Sequence, residues 1–335
     1  MRQLITTLTL AGLILTTSAC ATTPDFRSEF KSFAVEMERK HQFPADEIEA
    51  LLAGTEFRDD IIAAITRPAE AKPWYEYRPI FLKPDRIQGG VEFWQQNAAL
   101  LERISREYGI PPEIIVAIIG VETRYGKFTG RYRILDSLTT LAFGYPKRAE
   151  FFRSELEQFL LLSREESVDP RNTKGSYAGA MGKPQFIASS YRRYAVDGDG
   201  DGKRDLWQSN ADVIASVANY FKTHGWRPGE QITLQATTNG QSDLQPYVDA
   251  GMKPSIPLEK LLRSGLSPVD DLALPDPETL SSLIKLDAGN TDEYWFGLHN
   301  FYVITRYNHS NLYAMAAYQL SQEILNAKQA AEKQP

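Results

Sequence analysis

The sequence predicts a mainly helical protein with a small β part. Apolar residues recur at helical spacing along most of the chain, and the segment IIVAIIGVETRYG at 114–126 is almost wholly apolar up to Glu122. Residues 228–290 differ, because an alternating stretch begins at Gln231 and Pro, Gly, Ser and Asp become frequent after it. A length of 335 residues with 42% hydrophobic residues is sufficient for a sizeable core. The fold class is therefore mainly α (α+β).

The predicted helices follow one another in order. Apolar residues from Phe26 to Met37 mark the first helix, and Gly109 and Pro112 mark the end of one helix and the start of the next. A Pro- and aromatic-rich connector at 72–84 is expected to be extended. The other predicted helices cover 46–53, 58–65, 91–108, 147–163, 187–194, 210–224 and 311–328.

The first 19 residues have the features of an export signal. Arg2 precedes a short apolar stretch at 4–15, which is too short to anchor stably in a bilayer. Cys20 is the only cysteine in the chain and follows small residues. Cleavage before Cys20 would allow its acylation, giving a periplasmic lipoprotein anchored to the outer membrane. Cleavage near Ala19 or Ala21 would instead give a soluble periplasmic protein.

The charge of the chain disfavours some classes of partner. A formal net charge of −6 and a pI near 5.4 argue against nucleic acid and against anionic lipid surfaces. Membrane contact is therefore expected only through a lipid on Cys20, and we expect a monomer. Aromatic residues make up 11% of the chain, which is compatible with a cleft that stacks on ring-shaped ligands.

The segment VDGDGDGKRDLWQ at 196–208 fits an EF-hand calcium loop. Aspartates occupy alternate positions, Gly202 supplies the sharp bend, and helical patterns flank the loop on both sides. The predicted ligands are Asp197, Asp199, Asp201, the carbonyl of Lys203, Asp205 and Gln208. Gln208 stands where a bidentate glutamate is usual, so a structural Ca²⁺ of modest affinity is predicted. The alternative is a solvated Asp-Gly turn.

Other catalytic classes have no support in the sequence. The four histidines show no HExxH spacing and no clustered cysteines accompany them, which disfavours transition-metal catalysis. No G-x-S-x-G elbow is present, so serine and cysteine nucleophiles are not indicated. No organic cofactor is expected.

Glu122 is the residue on which the functional prediction depends. Taken alone, a glutamate after an apolar run is most often a helix-end residue that pairs with a base such as Arg124. A helix that is apolar nearly all round is buried, however, and its carboxylate would be partly desolvated. Desolvation raises the pKa of a carboxyl group and suits it to act as a general acid near neutral pH.

Four motifs in order resemble the membrane-bound lytic murein transglycosylase B family, glycoside hydrolase family 103. They are GVETRYGKFTG at 120–130, GSYAGAMGKPQF at 175–186, YAVDGDGDG at 194–202 and NFYVITRYNHSNLYAMAAYQL at 300–320. The resemblance covers essentially the whole chain after the signal. It implies a lysozyme-like helical core with an additional helical domain, a small β insertion and an EF-hand-like calcium loop.

The resemblance also implies an activity and a set of site residues. The expected enzyme is a carbon–oxygen lyase that cleaves the β-1,4 bond between N-acetylmuramic acid and N-acetylglucosamine in peptidoglycan. Its product has a 1,6-anhydromuramoyl end, and Glu122 matches the single catalytic acid and base. The implied substrate-binding residues are Tyr77, Lys147, Arg148, Ser176, Gln185, Tyr220, Tyr307 and Asn308.

Two alternatives to this function stay open at the level of sequence. A muramidase would hydrolyse the same bond with water, using a second carboxylate such as Asp136, Glu150 or Asp169. A non-catalytic lipoprotein would only bind peptidoglycan.

The predicted organisation has five parts. They are a signal at 1–19, an N-terminal helical segment and connector at 20–90, a catalytic core at 91–227, a mixed β insertion at 228–290 and a return to the core at 291–335.

Overall fold

The computed structural model describes residues 26–67, 72–269 and 274–333. The predicted signal and Cys20 lie outside the described residues. The prediction of a mainly helical chain with a small β part is confirmed. Across the part of the chain that the structure describes, no helix is both long enough and apolar enough to cross a membrane.

Between residue 26 and Glu122 the described residues form seven α-helices, and Glu122 lies in the last of them. They are α1 Arg27–His41, α2 Ala45–Ala53, α3 Asp59–Ile65, α4 Trp74–Phe81, α5 Pro84–Gln96, α6 Ala98–Tyr108 and α7 Pro112–Thr123. Gly109 ends α6 in the left-handed conformation with φ 75°, and Pro112 stands at the start of α7, as predicted.

Two predictions in this region are wrong. The connector expected to be extended contains α4, because Trp74 and Tyr77, three residues apart, are both buried on one face despite Pro79 within the helix. The single helix predicted over 91–108 is two helices that meet at Asn97. The Asn97 side chain donates to the Phe93 carbonyl at 2.8 Å, and this bond competes with continuation of the helix.

The middle of the chain is again helical. A two-stranded antiparallel ribbon pairs β1 Tyr132–Arg133 with β2 Lys174–Gly175. The helices are α8 Ile134–Gly144, α9 Ala149–Glu165, α10 Ala188–Tyr194 and α11 Asn210–Thr223, and a 3₁₀ turn at Pro146–Arg148 precedes α9. The side chain of Ser209 accepts from the Asp212 backbone N–H at 3.2 Å and caps the start of α11.

A five-stranded antiparallel sheet forms the β part. Its strands are β3 Thr233–Thr238, β4 Ile256–Pro257, β5 Leu266–Pro268, β6 Leu280–Asp287 and β7 Asp292–Gly297, in the order β4-β6-β7-β3-β5. The short helices α12 Gln245–Asp249 and α13 Leu258–Arg263 lie between its strands in sequence. The sheet extends past residue 290, because β7 pairs with β6 along its whole length.

The chain returns to the helical body through α14 His299–Ile304 and α15 Asn311–Glu332. Helix α7 packs against α15, α5 and α11, and its residues from Ile114 to Ile119 are at most 2% exposed. This apolar helix is therefore at the centre of the fold among the described residues, as its sequence predicts.

Candidate active site

Helix α7 carries Glu122 in its last turn. The helix is enclosed over most of its length and ends where Arg124 adopts a left-handed conformation with φ 50°. Thr123 is buried, whereas Glu122 is half-buried. The Glu122 carboxyl therefore lies where a buried helix reaches the surface.

Two tyrosines from the C-terminal part of the chain accompany this carboxyl. The Tyr313 hydroxyl donates a 2.5 Å hydrogen bond to Oε1 of Glu122. The Tyr307 ring is parallel to that of Tyr313, with ring centroids 6.4 Å apart and 8° between the planes. Burial raises the pKa of both phenols well above the ordinary value, and the charge of Glu122 raises it further. Both phenols therefore stay neutral donors across the pH range of a living cell.

Tyr77 and Tyr220 lie behind these two tyrosines. Tyr77 is 1% exposed, and its phenol contributes to the raised pKa of Tyr313. Tyr220 is also buried, with its ring centroid 4.8 Å from that of Tyr307 and its hydroxyl donating to the Arg306 carbonyl at 2.5 Å. Their burial means that they support the wall of the site and present little face for stacking.

The glycine-rich segment places Gln185 in a turn bonded to α7 and Ser176 in a turn bonded to Ser137 of α8. The Ser176 Oγ accepts backbone N–H bonds at 3.2 and 3.0 Å, and the Gln185 amide donates to the Thr129 carbonyl at 3.1 Å and to the Gly182 carbonyl at 2.9 Å. Gly182 has φ 67°, and a Cβ there would meet the Leu206 carbonyl oxygen at 2.5 Å. Only glycine fits this position without strain.

The turn that bears Gln185 is bonded directly to the Glu122 region. The hydroxyl of Thr123 donates to the Lys183 carbonyl at 2.8 Å, and the hydroxyl of Tyr307 donates to the Pro184 carbonyl at 2.7 Å. The structure therefore brings together Glu122, Tyr307 and the segment of Gln185, three regions that are far apart in sequence.

The remaining predicted binding residues are placed differently. Asn308 is half-buried and follows Tyr307 directly in the chain. Lys147 and Arg148 are exposed at the start of α9, and the Arg148 guanidinium lies 4.3 Å from the ring centroid of Phe151. The described contacts of Lys147 and Arg148 do not join them to Glu122.

The acidic loop has the geometry of a cation site at one end. Carboxylate oxygens of Asp197, Asp199 and Asp212 lie within 4.8 Å of one another. The Asp197 carboxylate also accepts three backbone N–H bonds from its own loop, and these bonds lower its pKa. Burial raises the pKa of Asp212, so a cation beside it would offset an unfavourable charge.

Asp205 and Gln208 have other contacts in the structure. The Asp205 carboxylate accepts the backbone N–H groups of Trp207 and Gln208 at 2.8 and 2.9 Å, and Gln208 is exposed. Their role as metal ligands stays a prediction, as does that of Asp201 and of the Lys203 carbonyl.

Two residues of these sites were not found from the sequence. Tyr313 lies within a quoted motif, but nothing in its local pattern distinguishes a core tyrosine from one that contacts Glu122. Asp212 was not predicted as a ligand, because it lies beyond the twelve positions of an EF-hand loop. The signal for Asp212 was its position in the first turn of the helix that follows the loop.

The chain is similar to known proteins over most of its length. The chain is 46% identical over 308 residues to the membrane-bound lytic murein transglycosylase B of Escherichia coli, covering 89% of this chain and 83% of the relative. The structure of E. coli lytic transglycosylase Slt35 in complex with calcium has a TM-score of 0.80 and 45% identity, covering 89% of this chain and 93% of that one.

A third structure is that of SltB3 from Pseudomonas aeruginosa in complex with NAG-NAM-pentapeptide. It has a TM-score of 0.78 and 30% identity, covering 89% of this chain and 79% of that one. The family model described as "Transglycosylase SLT domain" matches residues 25–322. The chain therefore belongs to the transglycosylase SLT domain family.

Proposed function

We propose that this protein is a lytic transglycosylase that cleaves the β-1,4 bond between N-acetylmuramic acid and N-acetylglucosamine in peptidoglycan. The observation that carries the proposal is the half-buried Glu122 carboxyl with the Tyr313 hydroxyl 2.5 Å from its Oε1. Membership of the transglycosylase SLT domain family supports the same reaction class. The name of the E. coli relative supports murein as the substrate.

In this mechanism one carboxyl group acts twice. Glu122 first donates its proton to the glycosidic oxygen, the bond from that oxygen to the anomeric carbon breaks, and the electron pair stays on the oxygen. The N-acetyl group of the substrate stabilises the developing positive charge at the anomeric carbon. The ionised Glu122 then takes the proton of the muramoyl 6-hydroxyl, whose oxygen bonds to the anomeric carbon and closes the 1,6-anhydro ring.

Candidates for a second catalytic carboxylate have other roles. Asp136 is buried and forms an ion pair with Arg133 at 2.5 Å. Asp169 accepts hydrogen bonds within its own turn at 2.9 and 2.6 Å. Glu150 is exposed in the first turn of α9. These placements favour a mechanism in which Glu122 acts as both acid and base over hydrolysis with two carboxylates.

Mass spectrometry of digested sacculi tests the bond and the product together. We expect predominantly 1,6-anhydromuramoyl ends from the wild-type protein. Glu122→Gln should lower kcat by about 10²–10⁴-fold, because the general acid and base is lost. Glu113→Gln is the matched control, since Glu113 lies on the same helix about 13 Å before Glu122 along the axis. It should leave kcat unchanged.

Two results would favour the alternatives. Predominantly reducing muramic acid ends would indicate a hydrolytic muramidase. Sacculi that the wild-type protein binds without cleaving would indicate a peptidoglycan-binding lipoprotein. Unchanged turnover in Glu122→Gln would show that Glu122 is not the catalytic acid and base.

Glycan binding near Glu122 is assigned by this proposal to eight residues. Ser176, Gln185, Tyr307 and Asn308 lie in or beside turns, whereas Tyr77 and Tyr220 act from behind as supports. Lys147 and Arg148 would contact a more distant part of the substrate. Alanine substitutions of the last two should raise KM with little change in kcat.

The proposal includes one structural calcium ion. Asp197, Asp199 and Asp212 provide hard oxygen donors within 4.8 Å of one another, the donor set that Ca²⁺ prefers. The E. coli Slt35 structure in complex with calcium supports this assignment. When bound, the ion neutralises these carboxylates and stabilises the loop, and the catalytic steps at Glu122 do not involve it.

The proposal also includes export and lipid attachment at Cys20. The E. coli relative, which is named membrane-bound, supports a location in the cell envelope. Metabolic labelling with a radioactive fatty acid should label the wild-type protein and not Cys20→Ala. The variant should move from the outer-membrane fraction to the soluble periplasmic fraction, and an unlabelled wild-type protein in the soluble fraction would contradict acylation.

A further inference from the structure

An open cleft of about 570 Å³ lies between the β1–β2 ribbon, the end of α9 and the acidic loop. Its volume is within the usual range of ligand-binding pockets, about 300–1,000 Å³. Thr129, Lys174, Lys203 and Trp207 are among its lining residues. None of the residues assigned to glycan binding lines this cleft.

The cleft carries unbalanced positive charge. Lys174, Lys203 and Arg204 carry three positive charges against the two negative charges of Glu166 and Asp205, and Glu166 forms an ion pair with Arg204. Lys174 and Lys203 are both exposed, and within the described residues neither forms an ion pair with a carboxylate. Two ammonium groups are therefore available to a ligand that brings its own carboxylates.

The cleft also has a fixed aromatic surface. Tyr191 is 1% exposed, and its ring centroid lies 5.8 Å from that of Trp207. The indole N–H of Trp207 donates to the Lys174 carbonyl at 3.4 Å, which ties the ring to the ribbon. A half-buried indole held in this way offers an apolar face to the aliphatic part of a ligand.

The cleft shares Thr129 with the hydrogen bonds of the Gln185 turn. The Thr129 carbonyl, which accepts the amide of Gln185, belongs to a residue that lines the cleft. Next to it, Gly130 packs so closely on the ribbon that a Cβ there would lie 2.0 Å from the backbone of Gly175. The cleft therefore adjoins the turn that carries Gln185.

We propose that the cleft binds a stem peptide of peptidoglycan, with Lys174 and Lys203 pairing with the peptide carboxylates and Trp207 packing on its aliphatic chain. This inference rests on the proposed function, because it assigns a second part of the same substrate. The cleft is distinct from Lys147 and Arg148, which lie at the opposite end of α9, about 25 Å away along the helix axis. An extended pentapeptide reaches only about 17 Å, so the two basic sites contact different peptides.

The test measures binding of the free tetrapeptide L-Ala-γ-D-Glu-meso-diaminopimelate-D-Ala by calorimetry, using the full chain with calcium present. Lys174→Gln/Lys203→Gln should weaken binding about five- to tenfold, the size expected for two partly exposed ion pairs. The substitutions leave the backbone carbonyl of Lys203 in place. Lys31→Gln/Lys253→Gln is the matched control, because it removes the same charge from two exposed lysines outside the cleft. It should bind like the wild type.

Turnover on two substrates distinguishes a failure of this inference from a failure of the proposed function. We expect the cleft variant to raise KM on peptide-bearing strands and to match the wild type on strands stripped of peptides by an amidase. Absence of turnover on both substrates in the wild type would overturn the proposed function itself.

The inference alone is overturned by any of three results when the wild type cleaves both substrates. These are equal tetrapeptide affinity in the cleft and control variants, equal binding of a tetrapeptide whose carboxylates are amidated, and an unchanged KM of the cleft variant on peptide-bearing strands.

Discussion

The hydrogen bond between Tyr313 and Glu122 gives the proposed catalytic carboxyl a fixed direction. Tyr313 is 3% exposed and donates to Oε1, so this oxygen is already bonded within the protein. Proton transfer to a substrate needs the acid to be held within hydrogen-bond reach of the accepting oxygen. A neutral phenol can supply this constraint at every pH at which the enzyme works, because burial and the charge of Glu122 raise the pKa of Tyr313.

We expect Tyr313→Phe to lower kcat by about ten- to a hundredfold, the loss expected for a hydrogen bond to a charged group of about 1.5–3 kcal/mol. KM should change little, since the ring that forms the wall of the site is retained. Steady-state kinetics on purified sacculi measure both parameters. Tyr302→Phe removes a hydroxyl that contacts Arg306 instead and should leave kcat at the wild-type value. A kcat of Tyr313→Phe equal to that of the control would contradict the positioning role.

A site residue could be predicted from the sequence where its side chain differs in chemistry from its neighbours in the chain. Glu122 is conspicuous in the sequence because a carboxylate follows a long apolar run. Tyr313 is not conspicuous, because a buried tyrosine on a helix has the same local pattern whether or not it contacts a carboxylate 191 positions away. The burial of Tyr77 and Tyr220 was not predicted either. The sequence does not distinguish a tyrosine packed behind the wall of a site from one whose ring faces the ligand.

At the scale of elements, one short turn joins the acidic loop to the end of α7. The Lys183 backbone N–H donates to the Leu206 carbonyl at 2.8 Å, and its ammonium group donates to Asn210 Oδ1 at 2.6 Å. On the other side of the turn, Thr123 donates to the Lys183 carbonyl. The loop therefore supports the segment that carries Gln185, and order in the loop contributes to order near Glu122.

We expect calcium to raise the stability of the wild-type protein and to act through Asp212. At free calcium 100 times its Kd the stabilisation is about 2.7 kcal/mol. Asp212→Asn should remove most of this increment, because one of the three clustered carboxylates is lost. Thermal unfolding with calcium and with a chelator measures the increment in each variant.

Gln208→Ala distinguishes the ligand set of the structure from that of the EF-hand pattern. Gln208 is exposed, so its substitution should leave the calcium increment intact. If Gln208→Ala abolishes the stabilisation by calcium and Asp212→Asn retains it, the calcium ligands are those that the EF-hand pattern predicts. No change in the wild-type melting curve on chelation would contradict an occupied site.

Most helices were predictable as elements, and the errors have local physical causes. Helix α4 was taken for an extended connector because Pro79 and its neighbours disfavour a helix, but burial of Trp74 and Tyr77 outweighs this propensity. The break between α5 and α6 depends on Asn97, whose side chain bonds both to Phe93 and to Asn210. The second of these partners is 113 positions away, and a local pattern cannot supply it.

At the scale of the whole molecule, the sheet is continuous with the helical body. Strand β6 buries side chains on both faces, as its alternate residues show. Ile284 and Leu286 join the large core that contains α7, whereas Leu283 packs with Phe296 and α13 in a smaller cluster. The segment predicted as an insertion therefore shares its core with the helical body around α7, and we expect both to unfold together.

We expect Ile284→Ala to lower the free energy of unfolding by about 2–5 kcal/mol, the usual cost of a large-to-small substitution in a core. Ile284 is fully buried where the sheet meets the helical core, so the cavity would weaken both parts at once. Leu280→Ala on the same strand is the matched control, because Leu280 is 50% exposed and should cost at most about 0.5 kcal/mol. Urea unfolding followed by tryptophan fluorescence and by circular dichroism should give one coincident transition in the wild type. An earlier, separate transition of the sheet in Ile284→Ala, with the helical signal unshifted, would show instead that the two parts are energetically independent.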